Sequence, residues 1–359
     1  GPDRVSEAAV RPRSPQRYYT SIDRPRRKQL TELFDPYGRS CKVCNMQKLS
    51  MLPGNVFSGV RLDRADHRRT DADWIEAQLH DPVSRFIPVW NQQSIVFNGD
   101  EPRAALINRE ALDGLLDADA SLAFLGIALE ENGVAHFAVD LSHLPVETLI
   151  ARYSGGALMD LRDSVQLVPA HEAAILAYAR GLMYWHQKNG YCAACGHKSE
   201  ARRAGHERAC TNPACGAAHF PRTDSAVIVL VHDGDDCLLC RQSHWPTGMH
   251  STLAGFLEPG ESLEETVARE IFEESGVRVS DVRYHSSQPW PFPASIMVGF
   301  MAKAESREII VDDKELEYAH WYGRDWLHNV VDSDTFRMPG KYSIARRLIG
   351  DWIEGRFPV

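Results

Sequence analysis

Residues 255–277 read GFLEPGESLEETVAREIFEESGV, and this stretch decides the fold. Ser262 with Glu265 three positions on forms a capping box, so a helix is predicted to start there. Gly276 stands where helices commonly end on a left-handed residue. Between them Leu263, Val267 and Ile271 recur every four residues and give the helix one stripe to bury. Glu270, Glu273 and Glu274 are spaced i, i+3, i+4 and crowd one exposed face. Carboxylates that close repel one another unless a cation lies among them, and a hard divalent ion such as Mg2+ prefers such oxygens. Arg269 can brace a neighbouring carboxylate or a ligand phosphate through its planar fork.

An acidic run on a surface helix is ordinarily no more than a solvated face. Here two glycines, Glu261 and Arg269 stand at fixed distances around it, in the pattern G-x5-E-x7-R-E-U-x-E-E-x-G-U with U a bulky aliphatic residue. Gly255, Glu261, Arg269, Glu270, Ile271, Glu273, Glu274, Gly276 and Val277 fill every fixed position. The pattern resembles the Nudix box, the loop-helix-loop of hydrolases that cut a diphosphate linked to another group. The resemblance implies an α/β (α+β) fold, a Nudix mixed-sheet sandwich with helices. The apolar strand AVIVLV (226–231), the Asp233-Gly234 turn, a strand over 296–302 and a terminal helix near 344–355 fit it.

Two further motifs flank the box. Downstream, residues 287–295 read SQPWPFPAS. Three prolines make a stiff strip with few ladder donors, from which Trp290 and Phe292 project as flat faces suited to stacking on a base or a nicotinamide ring. Upstream, Cys192, Cys195, Cys210 and Cys215 follow C-x2-C-x14-C-x4-C. Two close thiolate pairs on tight turns suit tetrahedral Zn2+ in a closed structural site; a pair of disulfides is the alternative. Cys41/Cys44 has no second pair. Cys237/Cys240 lies in an expected strand, where residues three apart face opposite sides. Both read as ordinary thiols.

The combination of ribbon, box and SQPWPFPAS resembles the NADH pyrophosphatase branch of the Nudix superfamily. The match is good over about 160–350 and looser before it. Members of this branch hydrolyse NADH, and less well NAD, to nicotinamide mononucleotide and AMP, and some remove an NAD cap from RNA. The resemblance implies that Glu270 and Glu274 bind divalent metal, Mg2+ or Mn2+, with the backbone carbonyl of Ala254 and with Glu315. Glu273 would be a further ligand or proton acceptor, and Arg269 part of the same constellation. It implies a substrate pocket lined by Gln288, Pro289, Trp290, Pro291, Phe292, Pro293, Ala294 and Ser295. Phe256 would stack on the nicotinamide, with Trp290 of a second subunit a candidate opposite face in a homodimer. Ala345 would line the nucleotide site, and Arg162 aligns with a substrate-contacting arginine across a gap. Phe220 falls where relatives often carry tyrosine, which keeps a stacking face and loses a hydroxyl.

Bulk properties set the frame. At 359 residues, two domains and a small module are expected. The expected divisions are a disordered basic tail (1–28), an N-terminal α+β domain (29–168), a linking helix (169–189), the zinc ribbon (190–221) and the Nudix domain (222–359). The N-terminal domain carries no catalytic motif, and no internal repeat is visible. No apolar run is long enough to cross a membrane, and a cytoplasmic location is expected. A net charge of -9 argues against a general nucleic-acid coat. Competing functions are a Nudix hydrolase of ADP-ribose or another diphosphate, and a non-catalytic ribbon that grips nucleic acid through Arg202, Arg203 and Arg208.

Overall fold

The computed structural model describes residues 54–116, 120–130 and 133–357. The basic tail and Cys41/Cys44 lie outside them. No helix among the described residues is long and apolar enough to cross a membrane.

The N-terminal half builds one mixed sheet of seven strands, β1 (Leu62–Asp63), β2 (Arg85–Trp90), β3 (Gln93–Phe97), β4 (Arg103–Ala104), β5 (Leu122–Ala128), β6 (Ala135–Asp140) and β7 (Gly156–Met159). Helices α1 (Ala72–His80), α2 (Val146–Arg152) and α3 (Leu161–Ser164) fill its connections, and α4 (Ala170–Lys188) follows. Both faces of the sheet are buried. Ile87, Val89 and Leu125 share one core with Leu176, Leu182 and Met183 of α4. Phe86, Phe124 and Phe137 meet in a second core on the opposite face.

The ribbon contributes three short strands, β8 (Ser199–Arg202), β9 (Glu207–Cys210) and β10 (Ala218–His219). The C-terminal half then builds a six-stranded sheet from β11 (Asp224–Asp233), β12 (Asp236–Arg241), β13 (Leu253–Phe256), β14 (Val279–Trp290), β15 (Ser295–Ala304) and β16 (Tyr318–Gly323). The box helix α5 (Leu263–Ser275) covers one face; α6 (Arg324–Asn329) and α7 (Ile344–Ile353) belong to the other. The unbroken apolar run of β11 is explained by burial on both sides. Val227, Val229 and Val231 pack with Val267 and Ile271 of α5, whereas Ile228 and Leu230 pack with Ile344, Leu348 and Trp352. Each such buried side chain is worth roughly 1.5–3 kcal/mol. Cys237 and Cys240 enter opposite cores, as alternation along β12 requires.

The two sheets have the same topology. β5-β6-β2-β3-β7 and β14-β15-β11-β12-β16 run through the same relations: antiparallel, parallel, antiparallel, antiparallel. In both, the return from the first hairpin touches its second strand and then its first: Ala104 on Val96 and Ile107 on Phe86, Ser251 on Cys240 and β13 on β11. In both, a short helix and then a longer one follow the last strand. The chain therefore contains an internal repeat, which corrects the expectation of none. The copies share a burial pattern and not a motif. Where the second copy runs from β13 into α5, the described residues of the first hold only the 3-10 turn Glu110–Leu112.

Candidate active site

The capping predicted for α5 is present. Ser262 Oγ accepts from Glu265 N at 3.2 Å, and Glu265 Oε2 accepts from Ser262 N at 2.7 Å. Gly276 ends the helix at φ 71°, its N–H donating to Phe272 O at 2.8 Å. Val267 and Ile271 are fully buried, and the flank of the helix that carries Arg269 and Glu270 lies against β13 and the loop that follows it.

Arg269 organises that side. Nε and Nη2 grip both oxygens of Glu261 at 2.6 and 2.9 Å. Nη1 donates to Glu270 Oε1 and Glu273 Oε2, each at 2.9 Å, and Nη2 also donates to Phe256 O at 2.9 Å. All five guanidinium hydrogens thus have acceptors, which an ammonium could not reproduce. Glu261 further accepts from Glu258 N and Thr266 Oγ1. Arg269 holds its carboxyl down to about 2. Glu261 is therefore an anchor for Arg269, which separates it from the carboxylates left to face a ligand.

Glu270 and Glu274 lie deeper. Gly255 is packed against the Glu270 carboxylate so closely that a Cβ there would lie 1.9 Å from Glu270 Cδ. Glu274 is 4% exposed, and its Oε2 is buried with no hydrogen-bond partner. Burial, with Glu270, Glu315 and Glu273 around it, pushes the Glu274 carboxyl up to about 8. Burial raises Glu270 as well, against the pull of Arg269. Glu315 is brought in by the loop before β16, where Ile310 N and Asp312 N bond to Ser275 O and Glu274 O and Leu316 is buried. Glu273 is the outer member of the set, its side chain 57% exposed. Among the described residues only the four cysteines bring all their ligand atoms within 4.8 Å of one another; the carboxylates form a looser array.

The SQPWPFPAS motif lies at the same end of the sheet. Ser295 pairs with Asp224, and Leu257 N donates to Ser225 O on the other side of β11. The residues of the motif take different parts. Gln288 is fully buried; its amide donates to Val56 O and Tyr342 O and accepts from Ile344 N. It clamps β14 to the start of α7 and leaves pocket lining to its neighbours. Ala345, in the first turn of α7, is also buried. Pro289, Trp290, Pro291, Ala294 and Ser295 form a wall of a cavity of about 540 Å³ that no box residue reaches. Pro293 follows a cis peptide bond. Phe292 sits under Arg162, whose guanidinium is 3.8 Å from the ring centroid. Phe256 and Phe220 are 58% and 61% exposed, as stacking faces need to be.

Sequence reasoning missed the residues that hold this motif. Arg180 of α4 donates from Nε to Pro291 O at 2.9 Å and pairs with Asp160 at 3.1 Å. Asn55 donates to Ser286 Oγ and Ser287 O. Arg180 had a signal: it is a cation on the stripe of α4 that carries Ala173, Leu176 and Ala177.

In the ribbon, Cys195 and Cys210 sulfurs are 3.4 Å apart and those of Cys192 and Cys215 3.8 Å. A disulfide needs about 2.05 Å, whereas a tetrahedron with bonds of about 2.3 Å has edges of about 3.8 Å. The four sulfurs therefore suit a metal ion. The ribbon arginines are all engaged: Arg202 with Glu200, Arg203 with Asp66, and Arg208 with Ser199 and His186. That arrangement disfavours a nucleic-acid grip by these three side chains.

Comparison with known proteins agrees with both halves. The NUDIX domain profile matches residues 221–341, and the profile of the NADH pyrophosphatase-like rudimentary NUDIX domain matches residues 83–185. The chain is 34% identical over 345 residues to the NAD-capped RNA hydrolase NUDT12 of Macaca fascicularis, covering 83% of this chain and 73% of that protein. It is 42% identical over 313 residues to the NAD-capped RNA hydrolase NudC of Mycobacterium bovis (strain BCG / Pasteur 1173P2), covering 83% of this chain and 94% of that protein. With NudC of Stutzerimonas stutzeri (strain A1501) it shares 40% over 221 residues, 62% of this chain and 76% of that protein. The chain belongs to the Nudix hydrolases, in their NADH pyrophosphatase-type branch.

Two outcomes follow from the carboxylate geometry. Gly255→Ala will displace the Glu270 carboxylate by about an ångström or more; turnover should fall about 10²-fold while circular dichroism stays native. Retained turnover would show that Glu270 need not sit there. The raised Glu274 and Glu270 favour their protonated forms in the fold. The contribution of these carboxyls to stability, in protein without added divalent ions, is then full below the ordinary glutamate value of 4.5 and is lost as pH rises through about 8. Thermal melts from pH 6 to 9 should show that decline. Glu274→Gln should lack most of it and exceed wild type at pH 9 by about 1–3 kcal/mol. An equal decline in both proteins would contradict this.

Proposed function

We propose that the chain hydrolyses the diphosphate bond of NADH and NAD, giving nicotinamide mononucleotide and AMP, and that the same chemistry removes an NAD cap from RNA. The observation that carries this reading is the buried, unpartnered Glu274 oxygen beside Glu270 and Glu315. A carboxylate held without a partner among other carboxylates suits a cation site, and an all-oxygen donor set suits Mg2+ or Mn2+. We assign Glu270, Glu274, Glu315 and the carbonyl of Ala254 to that site, and Zn2+ to Cys192, Cys195, Cys210 and Cys215. The identity of the relatives as NAD-capped RNA hydrolases supports the substrate class.

When bound, the divalent ion supplies charge neutralisation at the phosphate oxygens and a more acidic water. The protein does the rest. Arg269 keeps Glu270 and Glu273 in one orientation through its fork. We assign Glu274 as the acceptor of the attacking water's proton, with Glu273 as the solvent-side relay. Water adds to one phosphorus, the bond to the bridging oxygen breaks, and the mononucleotide beyond it leaves with that oxygen. Phe256 offers the nicotinamide a stacking face, worth roughly 1–3 kcal/mol by analogy with base stacking. Two large exposed rings, Phe220 and Phe256, support a homodimer in which a second copy closes the pocket.

Product analysis tests the reading. Incubated with NADH, NAD, ADP-ribose and NAD-capped RNA in Mg2+ or Mn2+, the protein should release AMP and the nicotinamide mononucleotide from the dinucleotides. It should leave a 5′-monophosphate on the RNA. Glu274→Gln should lower turnover by about 10²–10⁴-fold with the fold intact. Intact dinucleotides, or preferred cleavage of ADP-ribose, would refute it.

A further inference from the structure

β14, the edge strand of the second sheet, leads into the proline motif and holds one extra residue on the way. Tyr284 pairs with Phe300 and Ser286 with Gly299, so His285 is bulged out of the ladder. In a regular strand His285 and Ser286 would face opposite sides; here His285 Nδ1 lies 2.8 Å from Ser286 Oγ. His285 Nε2 is 3.0 Å from Asp351 Oδ2, which also accepts from Arg347 Nε at 3.4 Å. Arg347 Nη1 donates to Asn55 Oδ1 at 3.2 Å, and Asn55 Nδ2 donates to Ser286 Oγ at 3.0 Å. Asn55, His285, Ser286, Arg347 and Asp351 thus close one hydrogen-bonded circuit, drawn from the leading segment, β14 and α7.

The direction of each bond in the circuit is fixed. Arg347 can only donate. Against burial, Arg356 at 2.7 Å, with His285 and Arg347, holds the Asp351 carboxyl below its ordinary value, so it only accepts. His285 Nε2 therefore carries the hydrogen, and Nδ1 accepts from the Ser286 hydroxyl. Burial keeps the imidazole below its ordinary value of 6.5, against Asp351 and with Arg347. Among the described residues the charges around it are Asp351 and Arg347 on α7 and, behind Asp351, Arg356. Phe357 packs on it with ring centroids 5.1 Å apart, and β15 opposite offers Gly299 and Phe300. We propose that His285 is a positioning residue for the hydrolysis: by closing this circuit it sets the motif strand against α7, the two segments that carry residues 289–295 and Ala345. The inference rests on the proposed reaction for its substrate. A proton on Nδ1 would take away the acceptor of the Ser286 hydroxyl, so the hold on the motif weakens below the ordinary histidine range.

Steady-state hydrolysis of NAD with Mn2+, together with amide hydrogen exchange of residues 286–288 without substrate, tests it on the full chain. His285→Leu should raise KM about 5–10-fold, leave kcat within about twofold and speed exchange over 286–288. Asn55→Ala opens the same circuit at another bond and should do the same. The double variant should exceed either single one by less than about twofold, because both act through one network. From pH 7 to 5 the wild-type KM should climb toward that of His285→Leu, whose own KM stays flat. If His285→Leu fails to fold, Ser286→Ala, which deletes only the hydroxyl, must carry the rise. Wild-type KM in both single variants, a fall in kcat alone, additive effects in the double variant, or one pH profile shared by wild type and His285→Leu would overturn the proposal. Wild-type protein that cleaves no NAD would sink the hydrolytic reading; the circuit is then judged by exchange alone, and unchanged exchange in His285→Leu would refute it.

Discussion

The fork of Arg269 is the interaction on which the rest of this site depends. The three carboxylates of Glu261, Glu270 and Glu273 and the carbonyl of Phe256 could arrange themselves in many ways, and most would scatter the acids. One guanidinium removes that freedom by giving each of its five hydrogens a fixed acceptor. Glu261 serves as its counter-ion and ties it to the loop before α5. Glu270 and Glu273 are then oriented from the same plane, and Phe256 is held by its carbonyl. Of the three acids at the C-terminal end of the box helix, Glu274 is the one left without such support, in a buried position that costs stability.

That arrangement exists in one of two related sheets. The first half of the chain repeats the strand order and directions of the second, yet its crossover carries only a 3-10 turn where the second has the box helix. Freed of catalytic geometry, the first sheet supplies a wall. Its helix α4 presents Arg180 to Pro291 O, its leading segment presents Asn55 to the motif strand, and its core extends under Trp290, Phe292 and Tyr342. The repeat thus divides labour: one copy holds the acids, and the other fixes the aromatic strip at their end of the sheet.

The box was legible in the sequence because its constraints are local. A capping box, a left-handed glycine and a four-residue apolar period all act within one helix, and Ser262, Gly276, Val267 and Ile271 behave as their spacing requires. The cysteine ribbon was legible for the same reason. The repeat was not, because a sheet can be specified by burial alone: the first copy builds one core on Phe86, Phe124 and Phe137, the second on Val227, Val229 and Val231. Nor could the role of Gln288 be read. Its motif suggests a lining residue, and only the approach of Val56, Tyr342 and Ile344 from distant segments turns its amide inward.

The central claim is that the Arg269 fork prearranges the acids for a divalent cation, and the affinity of the protein for Mn2+ tests it most directly. Electron paramagnetic resonance titration of free Mn2+ should show Arg269→Lys binding the ion about 10–100-fold more weakly than wild type, with native circular dichroism. An Arg269→Lys protein that binds Mn2+ as tightly as wild type would contradict the account.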